Sequence, residues 1–236
     1  MFIRVKPPTW LVLALGLAPS LACAGGLDGL FGLVSGNKTA AISHANAQAG
    51  IANYSAADLQ AMKQAIAAYK AGDIAKGDAL STPLGASIPG VISEWVAIRT
   101  QGIQLGFDRI SRFLANYPDW PTQTMMRRRA EEALVAEKQS HTVIRSFFAK
   151  QTPVTAGGAL ALAEAMTATG QHAQATDLIR QFWGNNLFKQ DLEQKYLTSF
   201  GESLRKIDHF KRFERGIFSE DGDVALRAAQ RLGPEE

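Results

Sequence analysis

Residues 55–80 read SAADLQAMKQAIAAYKAGDIAKGDAL, and this stretch decides the fold class. Leu59, Met62, Ile66 and Tyr69 fall three and four residues apart, which sets them on one stripe of an α-helix. Ser55 stands just before that stripe, where its hydroxyl can accept a first-turn N–H and cap the helix. Ala71-Gly72-Asp73 ends it, since glycine takes the left-handed conformation that closes a helix. Residues 74–80 begin a partner helix of small side chains, so the unit is a helical hairpin.

The same grammar returns downstream. AIAAYKAGDIAKGDA at 65–79 resembles AEAMTATGQHAQATD at 163–177, and Gly72 and Gly170 lie 98 residues apart. That distance is close to three tetratricopeptide lengths of about 34 residues. Segments between them match weakly, so the expectation is a TPR-like helical-hairpin solenoid, or α-superhelix, with degenerate repeats. Apolar spacing predicts further helices over 91–99, 107–114, 159–169, 173–183, 192–200, 207–218 and 223–232. Asp119-Trp120-Pro121 is read as opening a longer helix through Leu134, with the proline in its first turn. No run alternates with a period of two, and alanine is abundant; the fold class expected is all-α.

The ends of the chain differ in character. Arg4 and Lys6 precede an apolar run over 10–21 that finishes in Ala22-Cys23-Ala24, which reads as a secretory signal peptide cleaved after Ala24. The run is short for a membrane span. Lipid attachment at Cys23 is the alternative, although Ser20 stands where a lipoprotein signal takes a large aliphatic residue. Cys23 is the single cysteine, so a chain cut after Ala24 has no thiol and suits an oxidising compartment. Five glycines over 25–40 (GGLDGLFGLVSGNKTA) predict a flexible segment, followed by an α-superhelical domain over 41–236 that is incomplete. The expected location is the periplasm.

Charge narrows the partners. The formal net charge is +3 and the isoelectric point near 9.0, but removing Arg4 and Lys6 leaves 23 basic against 22 acidic residues. Such a chain has no basic excess to hold a nucleic-acid backbone. His44, His141, His172 and His209 are isolated in sequence, with no spacing that makes a metal site, and no cofactor is expected. Ser35–Lys38 and Ser203–Lys206 both fit S-x-x-K, yet neither has the companion motifs that give the pattern meaning. Arg127-Arg128-Arg129 is the one basic run. Consecutive helical residues diverge by about 100°, so pairing of Arg127 with Glu131 and Arg128 with Glu132 is the simpler account. Gripping an acidic polymer is the functional one. Trp95, Trp120 and Trp183 suit packing between helices, with stacking on sugar rings as the alternative.

One ordered series of segments says more. FLANYPDWP at 113–121 followed by MRRRAEEAL at 126–134 resembles a passage in the N-terminal superhelix of soluble lytic murein transglycosylases. Flanking pieces resemble the same family in the same order: YKAGD at 69–73, EWVAIR at 94–99, and ALALAEA at 159–165 with Gly170. The resemblance implies a ring of helices supporting a lysozyme-like domain. In that domain one glutamic acid cleaves the bond between N-acetylmuramic acid and N-acetylglucosamine, with a 1,6-anhydro product. The family's catalytic Glu-Ser pair is followed about twenty residues later by Gly-Leu-Met-Gln. Glu202-Ser203 supplies the pair, but a charged segment follows instead, and 33 residues remain. The expectation is therefore a scaffold region without catalytic residues, whose partners are peptidoglycan or a separate catalytic domain. Arg127, Arg128 and Trp120 are its candidate substrate-binding residues. A periplasmic adaptor that binds other proteins is the alternative.

Overall fold

The computed structural model describes residues 54–233, and those residues form eleven α-helices joined by short turns. In chain order they are α1 (Ala56–Lys70), α2 (Ile74–Ser81), α3 (Ile88–Gln101), α4 (Phe107–Asn116), α5 (Gln123–Ala136) and α6 (His141–Phe147). α7 (Ala156–Thr167), α8 (His172–Asn185), α9 (Gln190–Phe200), α10 (Lys206–Phe218) and α11 (Gly222–Ala229) follow. Among the described residues there is no strand, and they form an all-α fold. The signal peptide, Cys23, His44, Ser35–Lys38 and the glycine-rich segment lie outside the described residues.

Caps fix where the helices begin. Ser55 Oγ accepts from the Asp58 N–H and Asp58 Oδ2 accepts from the Ser55 N–H, both at 3.0 Å, which closes a reciprocal capping box on α1. Ser87 caps α3, so that helix starts three residues before the apolar pattern does, with Pro89 in its first turn. Thr155 caps α7 through the Gly158 N–H at 2.9 Å. The helix placed at Pro121 starts later than expected. Thr122 takes φ +66°, and the Gln123 side-chain amide donates to the carbonyls of Tyr117 and Trp120 at 2.8 and 3.0 Å. Residues 117–122 are thereby held as a turn, and α5 begins at Gln123.

Seven residues of positive φ punctuate the first eight helices: Gly72, Gly85, Gly102, Gly106, Thr122, Lys138 and Gly170; of these, Gly72, Gly106, Lys138 and Gly170 have φ of 83°, 83°, 52° and 78°. These four lie between one helix and the next, at intervals of 34, 32 and 32 residues. At Gly72, Lys138 and Gly170 the closing hydrogen bond is the same: the next residue's N–H returns to a carbonyl five positions back (Ala68, Leu134 and Met166) at 2.9–3.2 Å. Packing follows chain order. α1 contacts α2 and α3, α5 contacts α3, α4 and α7, α7 contacts α6 and α8, and α8 continues to α10, which pairs with α11. Small residues permit close approach. A Cβ on Gly77 would sit 2.3 Å from the Tyr69 ring, so α2 can lie on α1 only because position 77 has no side chain.

Candidate functional site

Where the first four helices meet, one cation organises two carboxylates. Arg109, in the first turn of α4, donates from Nε and Nη2 to the two oxygens of Glu94 on α3, each at 2.7 Å. Its Nη1 and Nη2 also reach Asp78 on α2, at 3.0 and 2.8 Å. Tyr69, fully buried at the end of α1, donates its hydroxyl to Asp78 at 2.7 Å and shares a hydrogen bond with Ser81 at 2.9 Å. Hydrogen bonding to Glu94 raises the Arg109 pKa against the cost of burial, and Asp78 adds to it. Burial alone would raise Asp78, but the bonds from Arg109 and Tyr69 outweigh it and hold the carboxyl below its ordinary value. The network borders an open cleft of about 580 Å³, whose other wall carries Arg112, Asn116 and Tyr117.

Aromatic residues close one side of that cleft. Phe113 is buried against Tyr117 with ring centres 5.0 Å apart, and Trp120 meets Phe113 and Tyr117 edge-on at 6.3 and 6.1 Å. Trp120 is partly buried, and its indole N–H has no hydrogen-bond partner. Trp95 is buried under the Arg99 guanidinium and donates to Thr122 Oγ1 at 3.0 Å. Trp183 is fully enclosed.

The arginine run divides its work. Arg127 donates to the Thr152 carbonyl and lies 4.0 Å from Glu131, the expected pair. Glu132, however, pairs with Arg129 at 2.9 Å rather than with Arg128, which is exposed. One helical step turns Arg128 away from that carboxylate, while the (i, i+3) arm of Arg129 reaches it. The three candidate binding residues are therefore engaged separately: Trp120 with the α4 aromatics, Arg127 with the 152 loop, and Arg128 with solvent.

The deepest charges are carboxylates held by backbone N–H groups and arginines, and of these only Glu131 was named from the sequence, as the partner of Arg127. Glu131, fully buried on α5, accepts from the N–H groups of Val154 and Thr155 at 2.8 and 2.7 Å and from Thr155 Oγ1 at 2.6 Å. It thereby grips the start of α7. Burial raises its pKa, opposed chiefly by the Thr155 hydroxyl and the two N–H groups. Farther along, Glu193 of α9 accepts from Arg212 of α10 at 3.1 Å and from Arg227 of α11 at 3.0 Å. The Arg212 guanidinium lies over the rings of Trp183 and Phe188, at 4.5 and 4.3 Å from their centres. Asp208 is held by Arg205 at 3.0 Å and Arg180 at 3.5 Å.

Known proteins offer no family. The chain matches no protein-family model, and no curated protein and no solved structure matches it.

The geometry speaks to what these groups can do. A catalytic acid needs a carboxyl with access to substrate and freedom to exchange its proton. Glu131, Glu193 and Asp208 are instead buried and bonded to backbone N–H groups or arginines. Glu202 is exposed in a 3-10 turn at Gly201–Ser203. His141 and His172 are exposed at the starts of α6 and α8, and His209 lies edge-on to Trp183 at 5.5 Å. Among the described residues no group of three or more His, Cys, Asp or Glu side chains is placed to hold a metal ion, and no helix is long and apolar enough to cross a membrane.

Proposed function

We propose that this chain is a non-catalytic helical scaffold of the bacterial cell envelope, equivalent to the superhelical region of a lytic murein transglycosylase, and that it acts in peptidoglycan turnover from the periplasm. The observation that carries the reading is the convergence of the family-like segments. Glu94 from EWVAIR and Phe113 and Tyr117 from FLANYPDWP border the cleft built around Arg109, and Tyr69 from YKAGD, buried behind it, accepts a hydrogen bond from that arginine. Three of the family-like segments meet around this one arginine, which carries more weight than the same short likenesses taken separately.

The succession of short helices, each packed on a near neighbour in chain order from α1 to α8, supports the solenoid form of that scaffold. On this reading glycan strands contact the scaffold through the exposed Arg128, and cleavage belongs to a separate catalytic domain.

The test is incubation of the purified chain with murein sacculi. Co-sedimentation without release of soluble muropeptides is the expected result, weakened by Arg128→Glu. Release of 1,6-anhydro-muropeptides, or failure to sediment with sacculi at low ionic strength, overturns the proposal.

A further inference from the structure

α10 is built the wrong way round for the end of a packed helical array. Its buried residues are Asp208, Arg212 and Gly216, a stripe at four-residue spacing that carries an ion pair and a glycine contact. On the opposite side, Ile207, Phe210, Ile217 and Phe218 remain 48%, 39%, 54% and 81% exposed. At 100° per residue these four fall within one band about 100° wide, centred almost diametrically from the buried stripe. Four large apolar side chains grouped on one outward face cost solubility, and such a patch marks an interaction surface. No other described stretch exposes large apolar residues at this density.

We propose that the outer face of α10 is a dimer interface, occupied by α10 of a second copy of this chain in antiparallel orientation. Charge picks the partner and its direction. Lys206 and Lys211 flank the apolar band in its N-terminal half, and Glu214 lies on the band in its C-terminal half. Arg215 sits farther round, toward the buried side. A parallel pair would set lysine beside lysine, whereas a two-fold antiparallel pair sets each Lys211 beside the other copy's Glu214. The same operation places Ile207 opposite Ile217, matching apolar with apolar. The four side chains offer roughly 500 Å² per copy, so a pair would bury about 1,000 Å², the threshold for a specific though weak interface.

Sedimentation velocity on the purified full chain gives the first test, with a concentration-dependent dimer in the micromolar range expected. A monomer throughout that range overturns the proposal. Phe218→Asp, at an exposed position, abolishes the dimer while leaving the helical circular dichroism unchanged; a dimer that survives it uses another face. Glu214→Lys weakens association about tenfold, because two symmetry-related contacts turn repulsive, and adding Lys211→Glu restores it. Register is read by cross-linking in a Cys23→Ser background. Ile207→Cys and Ile217→Cys chains form a covalent dimer when mixed and none when separate; coupling of Ile207→Cys with itself shows a parallel pair and sinks the antiparallel assignment.

Discussion

Arg109 and Glu94 meet edge to edge, with both guanidinium nitrogens 2.7 Å from the carboxylate oxygens they face. The pair joins α3 to α4, and the same arginine extends to Asp78 on α2. Removing it would leave two carboxylates facing a shared gap with no cation between them. Arg109→Ala is expected to cost about 1–3 kcal/mol, below the figure for a deeply buried pair because all three side chains keep some solvent contact. Arg109→Lys recovers only part of it, since an ammonium cannot bond two carboxylates in fork geometry. Urea denaturation of the three proteins measures the order; a lysine variant equal to the parent contradicts the bidentate account.

Glu131 serves as a second cap for α7. Glu131→Gln removes the charge and puts an amide N–H₂ at one of the two oxygen positions, so it faces either the Val154 N–H that Oε1 accepts or the three donors that converge on Oε2. A loss of about 2 kcal/mol is expected, with Glu131→Ala similar or worse. Limited proteolysis gives a local reading, because the 152–155 segment should become the first site cut in the variants. Unchanged protection there means the cap is held by Thr155 alone.

Much of this architecture was legible in the sequence, and the misses share causes. Ser55, Gly72 and Gly170 announced their roles because caps and left-handed turns are chosen by local chemistry. The middle turns hid. Lys138 takes φ +52° without being glycine, and Gly106 opens α4 rather than following an obvious helix end. α6 went unread because seven residues with Ile144 alone buried carry no measurable period. The Arg109 cluster draws on positions 69, 78, 94 and 109, four helices that no local spacing connects. Arg127–Glu131 was legible from helical spacing, and the partner of Glu132 was missed by one residue.

Glycine contacts give a paired experiment. A methyl at Gly77 would lie 2.3 Å from the Tyr69 ring, and at Gly216 2.8 Å from the Ala225 backbone nitrogen. Gly77→Ala and Gly216→Ala should each destabilise by about 1–3 kcal/mol, because a helix must back away. Gly157→Ala is the control: its nearest neighbour is Val135 at 3.7 Å, an ordinary contact, and its backbone is helical. That variant is expected to be neutral or stabilising by a few tenths of a kcal/mol. Equal losses at all three would show that close packing is not what selects glycine here.

His209 should make stability depend on pH. It is partly buried, edge-on to Trp183, and its Nδ1 has no hydrogen-bond partner. Burial, and then the charge of Arg231, push its pKa below 6.5, while Asp208 and Glu193 oppose that and Arg212 adds to it. A depressed folded-state value means that the unfolded chain binds a proton first as the solution is acidified. The contribution is fully present above pH 6.5 and is lost as pH falls from 6.5 through the folded value. Asp208, also depressed by its arginines, loses its contribution only near and below 3.8, so the two windows do not overlap at their upper edge. Thermal melts of parent and His209→Gln from neutral pH downward separate them. The parent's midpoint should begin to fall below 6.5 and the variant's should stay level until the carboxylate window. A parent as flat as the variant would mean that solvent reaches the imidazole freely, and that α10 is not seated on Trp183 as described.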